Sequence, residues 1–136
     1  MRAMGIRAIY SKPKTSIKNH EHQVCQYLLN DLAITRPNQV WQVDITYIRT
    51  KCGFVYLTAL IDVYSRYIVG WSLSNNMDTL FCLGALDKDL IHGTPEIINS
   101  DQGAQFASNK WTDSLREKVI TISMTGKGRC LDNVYI

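Results

Sequence analysis

The sequence predicts an α/β fold in which a mixed β-sheet carries helices on its faces, and three patterns lead to this prediction. Three apolar segments joined by short turns come first, which is typical of a three-stranded antiparallel meander. Two helical patterns follow, and each precedes a short apolar strand. A meander followed by alternating helices and strands indicates one sheet that combines antiparallel and parallel strands.

The three strands of the predicted meander differ in polarity. The first, VWQVDITYI from Val40, alternates between apolar and polar side chains, which indicates one buried and one polar face. The second, FVYLTALIDV from Phe54, is apolar on both faces and is therefore expected near the sheet centre. The tight turn YSR leads to the third strand, YIVGWSL from Tyr67.

Two helices and two further strands follow the meander. Asp78 and Ser108 are predicted N-caps, because a side-chain oxygen there can accept from the free N–H groups of a first turn. The first helix closes at His92-Gly93, and PEIIN and VITISM are the fourth and fifth strands. Near-helical spacing predicts that the first helix buries Leu80, Leu83, Leu86 and Leu90.

Residues 1–36 are interpreted as a basic N-terminal arm, and residues 37–136 as the folded core. Pro37 disfavours helix in the residue before it, which places the boundary there. A short helix is expected over residues 21–30. The cations that precede the first acidic residue are Arg2, Arg7, Lys12, Lys14 and Lys18. Such an arm either contacts nucleic-acid phosphates or is a solvated tail.

The composition excludes several classes of protein. Hydrophobic residues make up 46% of the 136 residues, which is typical of a folded chain. No apolar run approaches the roughly 18 residues of a membrane span, and no signal peptide is evident, so a cytoplasmic protein is expected. No cysteine pair has C-x-x-C spacing. His20, His22 and Cys25 fit no standard zinc pattern, and a polar connecting segment is the interpretation preferred there.

Two aspartates occupy unusual positions. Asp44 lies in the middle of the first strand, where aspartate is uncommon. Asp101 closely follows the apolar fourth strand, at the kind of strand end where α/β sheets bind ligands. Each alone also fits an ordinary solvated position. A right-handed crossover would bring the first and fourth strands together, and two converging carboxylates require a cation such as Mg²⁺ or Mn²⁺.

Three segments resemble one known family. RPNQVWQVDITYI, YLTALIDVYSRYIVGWSLS and INSDQGAQF are similar to the catalytic core of bacterial insertion-sequence transposases related to retroviral integrases. The resemblance implies a ribonuclease-H-like fold, DNA as partner, a homo-oligomer, and two Mg²⁺ or Mn²⁺ ions held by an Asp, Asp, Glu triad. Asp44 matches the first Asp and Asp101 the second. Asp62 and Arg66 match a turn motif, for which a structural pairing is preferred to a catalytic role.

The resemblance also implies a third carboxylate, a Glu in the last helix. Thirty-five residues, 102–136, separate Asp101 from its position, which is the one after Ile136. Asp132 is interpreted as the N-cap of that helix. The chain is accordingly expected to be a fragment with a truncated last helix, without the DNA-end-recognition region, and inactive as it stands.

Two other functions stay open at this point. One is a non-catalytic DNA-binding or interfering subunit, and the other is an RNA-cleaving nuclease of the same fold. Lys127 and Arg129, between the glycines of a predicted loop, join Lys12, Lys14 and Lys18 as candidate nucleic-acid contacts. The alternative for that loop is a plain surface turn.

Overall fold

The computed structural model of the chain describes residues 23–126. The strands are β1 (Val40–Thr50), β2 (Gly53–Asp62), β3 (Ile68–Ser74), β4 (Ile97–Ser100) and β5 (Thr121–Met124), and the helices are α1 (Thr79–Asp89) and α2 (Asn109–Glu117). This order confirms the predicted succession of elements. The predicted last helix, with Asp132, lies outside the described residues.

The five strands form one mixed sheet in the order β3-β2-β1-β4-β5. The meander pairs β1 with β2 and β2 with β3 in antiparallel fashion. β4 then pairs in parallel with β1, and β5 in parallel with β4. β1 is therefore the central strand, with the meander on one side and the parallel strands on the other.

One face of the sheet forms the hydrophobic core. Alternate residues of β1, Trp41 and Val43, are fully buried there, as is Ile98, the parallel partner of Trp41. The helices, β2 and the segments on either side of α2 contribute the rest of this cluster, and Phe106 meets Trp111 edge to face at 5.2 Å between ring centroids. The opposite face carries Gln42 and Asp44. The predicted division into one buried and one polar face holds only in part, since Gln42 is fully buried and Tyr47 is 57% exposed.

Both predicted N-caps are present. The side chain of Asp78 accepts from Phe81 N–H at 3.0 Å, and that of Ser108 accepts from Trp111 N–H at 3.3 Å. The face of α1 was predicted less well. Cys82, Ala85 and Leu86 are its buried residues, whereas Leu80 is 61% exposed.

The prediction of a short helix over residues 21–30 is wrong for the part that the structure describes, since residues 23–30 contain no helix. The segment lies against the edge of β5 instead. Leu28 N–H donates to Ser123 Oγ at 3.1 Å, and Gln26 accepts from Met124 N–H at 3.4 Å through its carbonyl. These tertiary hydrogen bonds engage backbone groups that a helix would have paired internally.

The turn between β2 and β3 is built on Asp62, which is 2% exposed. Its carboxylate accepts from Asn38 N–H and from Ser65 N–H, each at 3.0 Å, and from the Ser65 hydroxyl. Arg66 adopts a left-handed φ of 62°, and its N–H donates to the Asp62 carbonyl at 2.8 Å. The contacts of Asp62 support the structural interpretation of this aspartate.

Within residues 23–126, no helix is long and apolar enough to cross a membrane.

Candidate metal centre

The parallel register of the sheet brings the two singled-out aspartates together. β1 pairs with β4 so that Trp41 lies beside Ile98 and Gln42 beside Asn99. Asp44 lies two residues further along β1, and Asp101 follows directly after β4, which ends at Ser100. Both aspartates therefore lie just beyond the last paired residues of these two adjacent parallel strands.

The electrostatics agree with this proximity. Partial burial of Asp44 raises the pKa of its carboxyl above the usual range, and repulsion from Asp101 raises it further. The hydrogen bond that Asp44 Oδ1 accepts from Ile45 N–H, at 2.8 Å, opposes both effects. Ionising Asp44 therefore costs free energy in the folded chain, and a cation between the two carboxylates would lower this cost.

Asp101 is fixed by the turn that follows β4. Its Oδ1 accepts from Gly103 N–H at 2.9 Å. A Cβ at Gly103 would lie 2.9 Å from the same oxygen, so a larger residue there would displace the Asp101 carboxylate. Asp101 itself is exposed, so its carboxylate is accessible to a metal ion at the end of β4.

Three buried polar residues form a row across the sheet, two positions before Asp44 and Asp101 along β1 and β4. Gln42, Asn99 and Ser123 are each 0% exposed, and the register places them side by side on β1, β4 and β5. Sequence reasoning did not single out this row. The available signal was a polar residue inside an apolar strand, the same signal that identified Asp44.

The donor set fits a hard divalent cation, because carboxylate oxygens are the ligands that Mg²⁺ and Mn²⁺ prefer. Within residues 23–126, no group of three or more His, Cys, Asp or Glu side chains is placed to hold a metal ion. Asp44 and Asp101 are the candidate ligands among the described residues. The other predicted site residues, Lys12, Lys14, Lys18, Lys127 and Arg129, lie outside the described part of the chain, as do His20 and His22.

The sequence is similar to a known domain family and to curated transposases. Residues 34–130 match the model of the integrase core domain. The transposase for insertion sequence element IS629 of Shigella sonnei is 34% identical over 137 residues, which cover 98% of this chain and 46% of that protein. Transposase InsF for insertion sequence IS3fB of Escherichia coli (strain K12) is 34% identical over 142 residues, covering 100% of this chain and 49% of that protein. The chain spans about half the length of the curated relatives it matches.

Solved structures share the fold. The simian T-cell lymphotropic virus intasome, in complex with PP2A regulatory subunit B56 gamma, contains a chain with a TM-score of 0.68 and 22% identity, covering 86% of this chain and 41% of that chain. The HTLV-2 integrase catalytic core domain in complex with magnesium (dimeric form) has a TM-score of 0.61 and 24% identity, covering 67% of this chain and 62% of that chain. The ribonuclease-H-like architecture expected from the sequence is confirmed.

Proposed function

Because the chain belongs to the integrase core domain family, we propose that it is a catalytic core of an insertion-sequence transposase, acting on DNA phosphodiesters with a divalent metal. One observation carries this proposal: Asp44 and Asp101 each lie two residues beyond the Gln42–Asn99 pair, at the end of the parallel pairing between β1 and β4. Either aspartate alone fits a solvated position, but the two carboxylates together repel each other unless a cation lies between them.

Asp44 and Asp101 would hold Mg²⁺ or Mn²⁺, and two ions are proposed for the complete site. When bound, such ions activate the attacking oxygen and stabilise the leaving oxygen of a phosphodiester exchange. The chain's own contribution is to fix Asp44 on a central strand and Asp101 in the turn after β4. It forms no covalent bond with DNA in this scheme. The third carboxylate implied by the resemblance belongs to the position after Ile136, which this sequence does not include.

DNA is the proposed partner, and the proposed location is the cytoplasm. Lys12, Lys14, Lys18, Lys127 and Arg129 are proposed to contact its phosphates. A homo-oligomer is proposed as well. A dimeric and a trimeric form are named for the HTLV-2 core domain, and an intasome for the simian virus protein.

The metal site can be tested by calorimetry with Mn²⁺ on the 136-residue chain. We expect weak binding, because two carboxylates of the implied three are present. Asp44→Asn and Asp101→Asn should each raise the Kd at least about tenfold, since each removes one of two charged ligands. Asp113→Asn is the matched control, because it removes the same charge from an exposed position in α2.

Three outcomes are informative. Loss of affinity in both site variants, with the control unchanged, supports the proposed centre. Equal affinity in all four proteins would remove Asp44 and Asp101 from any metal site. An equal loss of Mn²⁺ affinity in Asp113→Asn would mean that the overall charge of the chain, and not a metal site, causes the effect.

A further inference from the structure

The side chain of Asn99 is fully buried in β4, in the polar row below the two carboxylates. Ser123 donates through its hydroxyl to Asn99 Oδ1 at 2.9 Å, and its Oγ accepts from Leu28 N–H at 3.1 Å. The Leu28 N–H occupies only an acceptor position of Ser123 Oγ. The hydroxyl hydrogen of Ser123 is therefore available to donate. Ser123 directs this hydrogen at the oxygen end of the Asn99 amide, the end that can accept it.

The nitrogen end of that amide is the unexplained part. Asn99 Nδ2 is buried and, among the described residues, has no hydrogen-bond partner. Buried donors are almost always paired, because an unpaired one forfeits its hydrogen bonds to water without replacement. The oxygen of the amide points to Ser123 on β5, so the nitrogen lies toward β1 on the other side.

Two side chains with acceptor oxygens belong to that side, those of Gln42 and Asp44. Gln42 is the register partner of Asn99, and Asp44 lies two residues further along β1 on the same face. From the spacing of neighbouring strands and the rise along a strand, Asp44 and Asn99 are about 8 Å apart, a distance that an Asn and an Asp side chain joined by a hydrogen bond can span. Oδ1 of Asp44 accepts from Ile45 N–H, and Oδ2 can face both a donor and a cation.

We infer that Asn99 is a positioning residue of the metal centre, whose Nδ2 donates to the Asp44 carboxylate and holds it toward Asp101 when a divalent cation is bound. The inference rests on the proposed function. Ser123 and the Leu28 backbone would serve as the anchor that keeps the amide turned to β1. A hydrogen bond from a neighbouring polar group to a metal-binding carboxylate orients it and strengthens it as a ligand.

Nuclear magnetic resonance on the unaltered chain tests the hydrogen bond without any risk of misfolding. We expect saturation with Mg²⁺ to shift the Asn99 side-chain amide protons downfield and to slow their exchange with water. Asp44→Asn should abolish this response. Asn99 amide signals that stay unchanged while Mg²⁺ shifts the Asp44 backbone signals would overturn the inference.

Calorimetry with Mn²⁺ provides the second test. Asn99→Leu, a substitution of similar volume without a donor, should weaken Mn²⁺ binding about tenfold. Thr112→Val is the matched control. It removes a fully buried hydroxyl from α2, on the far side of the core, and should lower stability without changing the Mn²⁺ affinity.

The outcomes separate this inference from the proposed function. If the unaltered chain binds Mn²⁺ through Asp44 but Asn99→Leu binds equally well, Asn99 is a purely structural residue that pairs with a neighbour such as Gln42. If the unaltered chain binds no Mn²⁺, the proposed centre fails and the inference fails with it.

Discussion

Asp44 lies in the central strand of the sheet, where its charge opposes folding. Burial disfavours the ionised carboxyl, and the neighbouring Asp101 adds repulsion, so the pKa of Asp44 is raised in the folded chain. In the unfolded chain both effects vanish. The stabilising contribution of this group is therefore fully present below the unfolded pKa, about 3.8, and is lost as pH rises through the raised folded value.

Asp44→Asn should therefore stabilise the protein at pH 7 in the absence of divalent cations. We expect a higher Tm than that of the unaltered chain, and a difference that shrinks as the pH falls below about 3.8, where the unaltered carboxyl is neutral too. Thermal unfolding followed by circular dichroism with a chelator measures this. Added Mn²⁺ should raise the Tm of the unaltered chain but not that of Asp44→Asn. A lower Tm for Asp44→Asn at pH 7 would contradict the argument.

The two carboxylates and Asn99 were not equally predictable. Asp44 and Asp101 stand out in the sequence because an acid is unexpected in a strand interior or directly after a buried strand. Asn99 gives a similar signal, but its meaning depends on Ser123 and on the Leu28 backbone. Leu28 is 95 residues from Ser123 in the chain, and no local pattern predicts such a contact.

Among the elements, the β2–β3 turn depends most on a single side chain. The buried carboxylate of Asp62 accepts backbone N–H groups from Asn38 and Ser65, so it ties this turn to the entry of β1. Asp62→Ala leaves these donors without their acceptor. We expect a loss of roughly 1–3 kcal/mol in the free energy of unfolding, measured by urea denaturation.

Asp87→Ala serves as the comparison for that measurement. Asp87 is an exposed aspartate of α1 that pairs with Lys118 at 3.2 Å, and an exposed pair contributes at most about 1 kcal/mol. If Asp62→Ala were no more destabilising than Asp87→Ala, the proposed structural role of the Asp62 carboxylate would be refuted.

Periodicity and capping residues predicted the elements well where local signals dominate. The caps at Asp78 and Ser108 and the meander are of this kind. The segment over residues 23–30 was misassigned because its backbone pairs with β5, an interaction between distant parts of the chain. The exposed Leu80 shows a similar limit. Helical spacing predicts that α1 has an apolar face, but not which residues of the helix contact the core.

At the scale of the whole molecule, the basic arm is proposed to add non-specific affinity for DNA. A chain that begins at Gln23 keeps the segment along β5 but lacks Arg2, Arg7, Lys12, Lys14 and Lys18. We expect it to bind duplex DNA with a weaker dependence on salt. Each lost phosphate contact should reduce the slope of log affinity against log salt by about 0.9.

Fluorescence anisotropy over a series of salt concentrations measures that slope. Replacing the five cations by Gln in the full chain controls for the loss of the segment itself. An identical slope in the full and shortened chains would mean that the arm is a solvated tail.

The pairing of β1 with β4 also has a kinetic consequence. The hairpins of the meander close short loops, whereas β4 joins β1 only after the chain has passed through β2, β3 and α1. Closing long loops is slow, so the meander is expected to form first and the two aspartates to meet late in folding. Mn²⁺ should then slow unfolding in stopped-flow experiments and leave the refolding rate nearly unchanged.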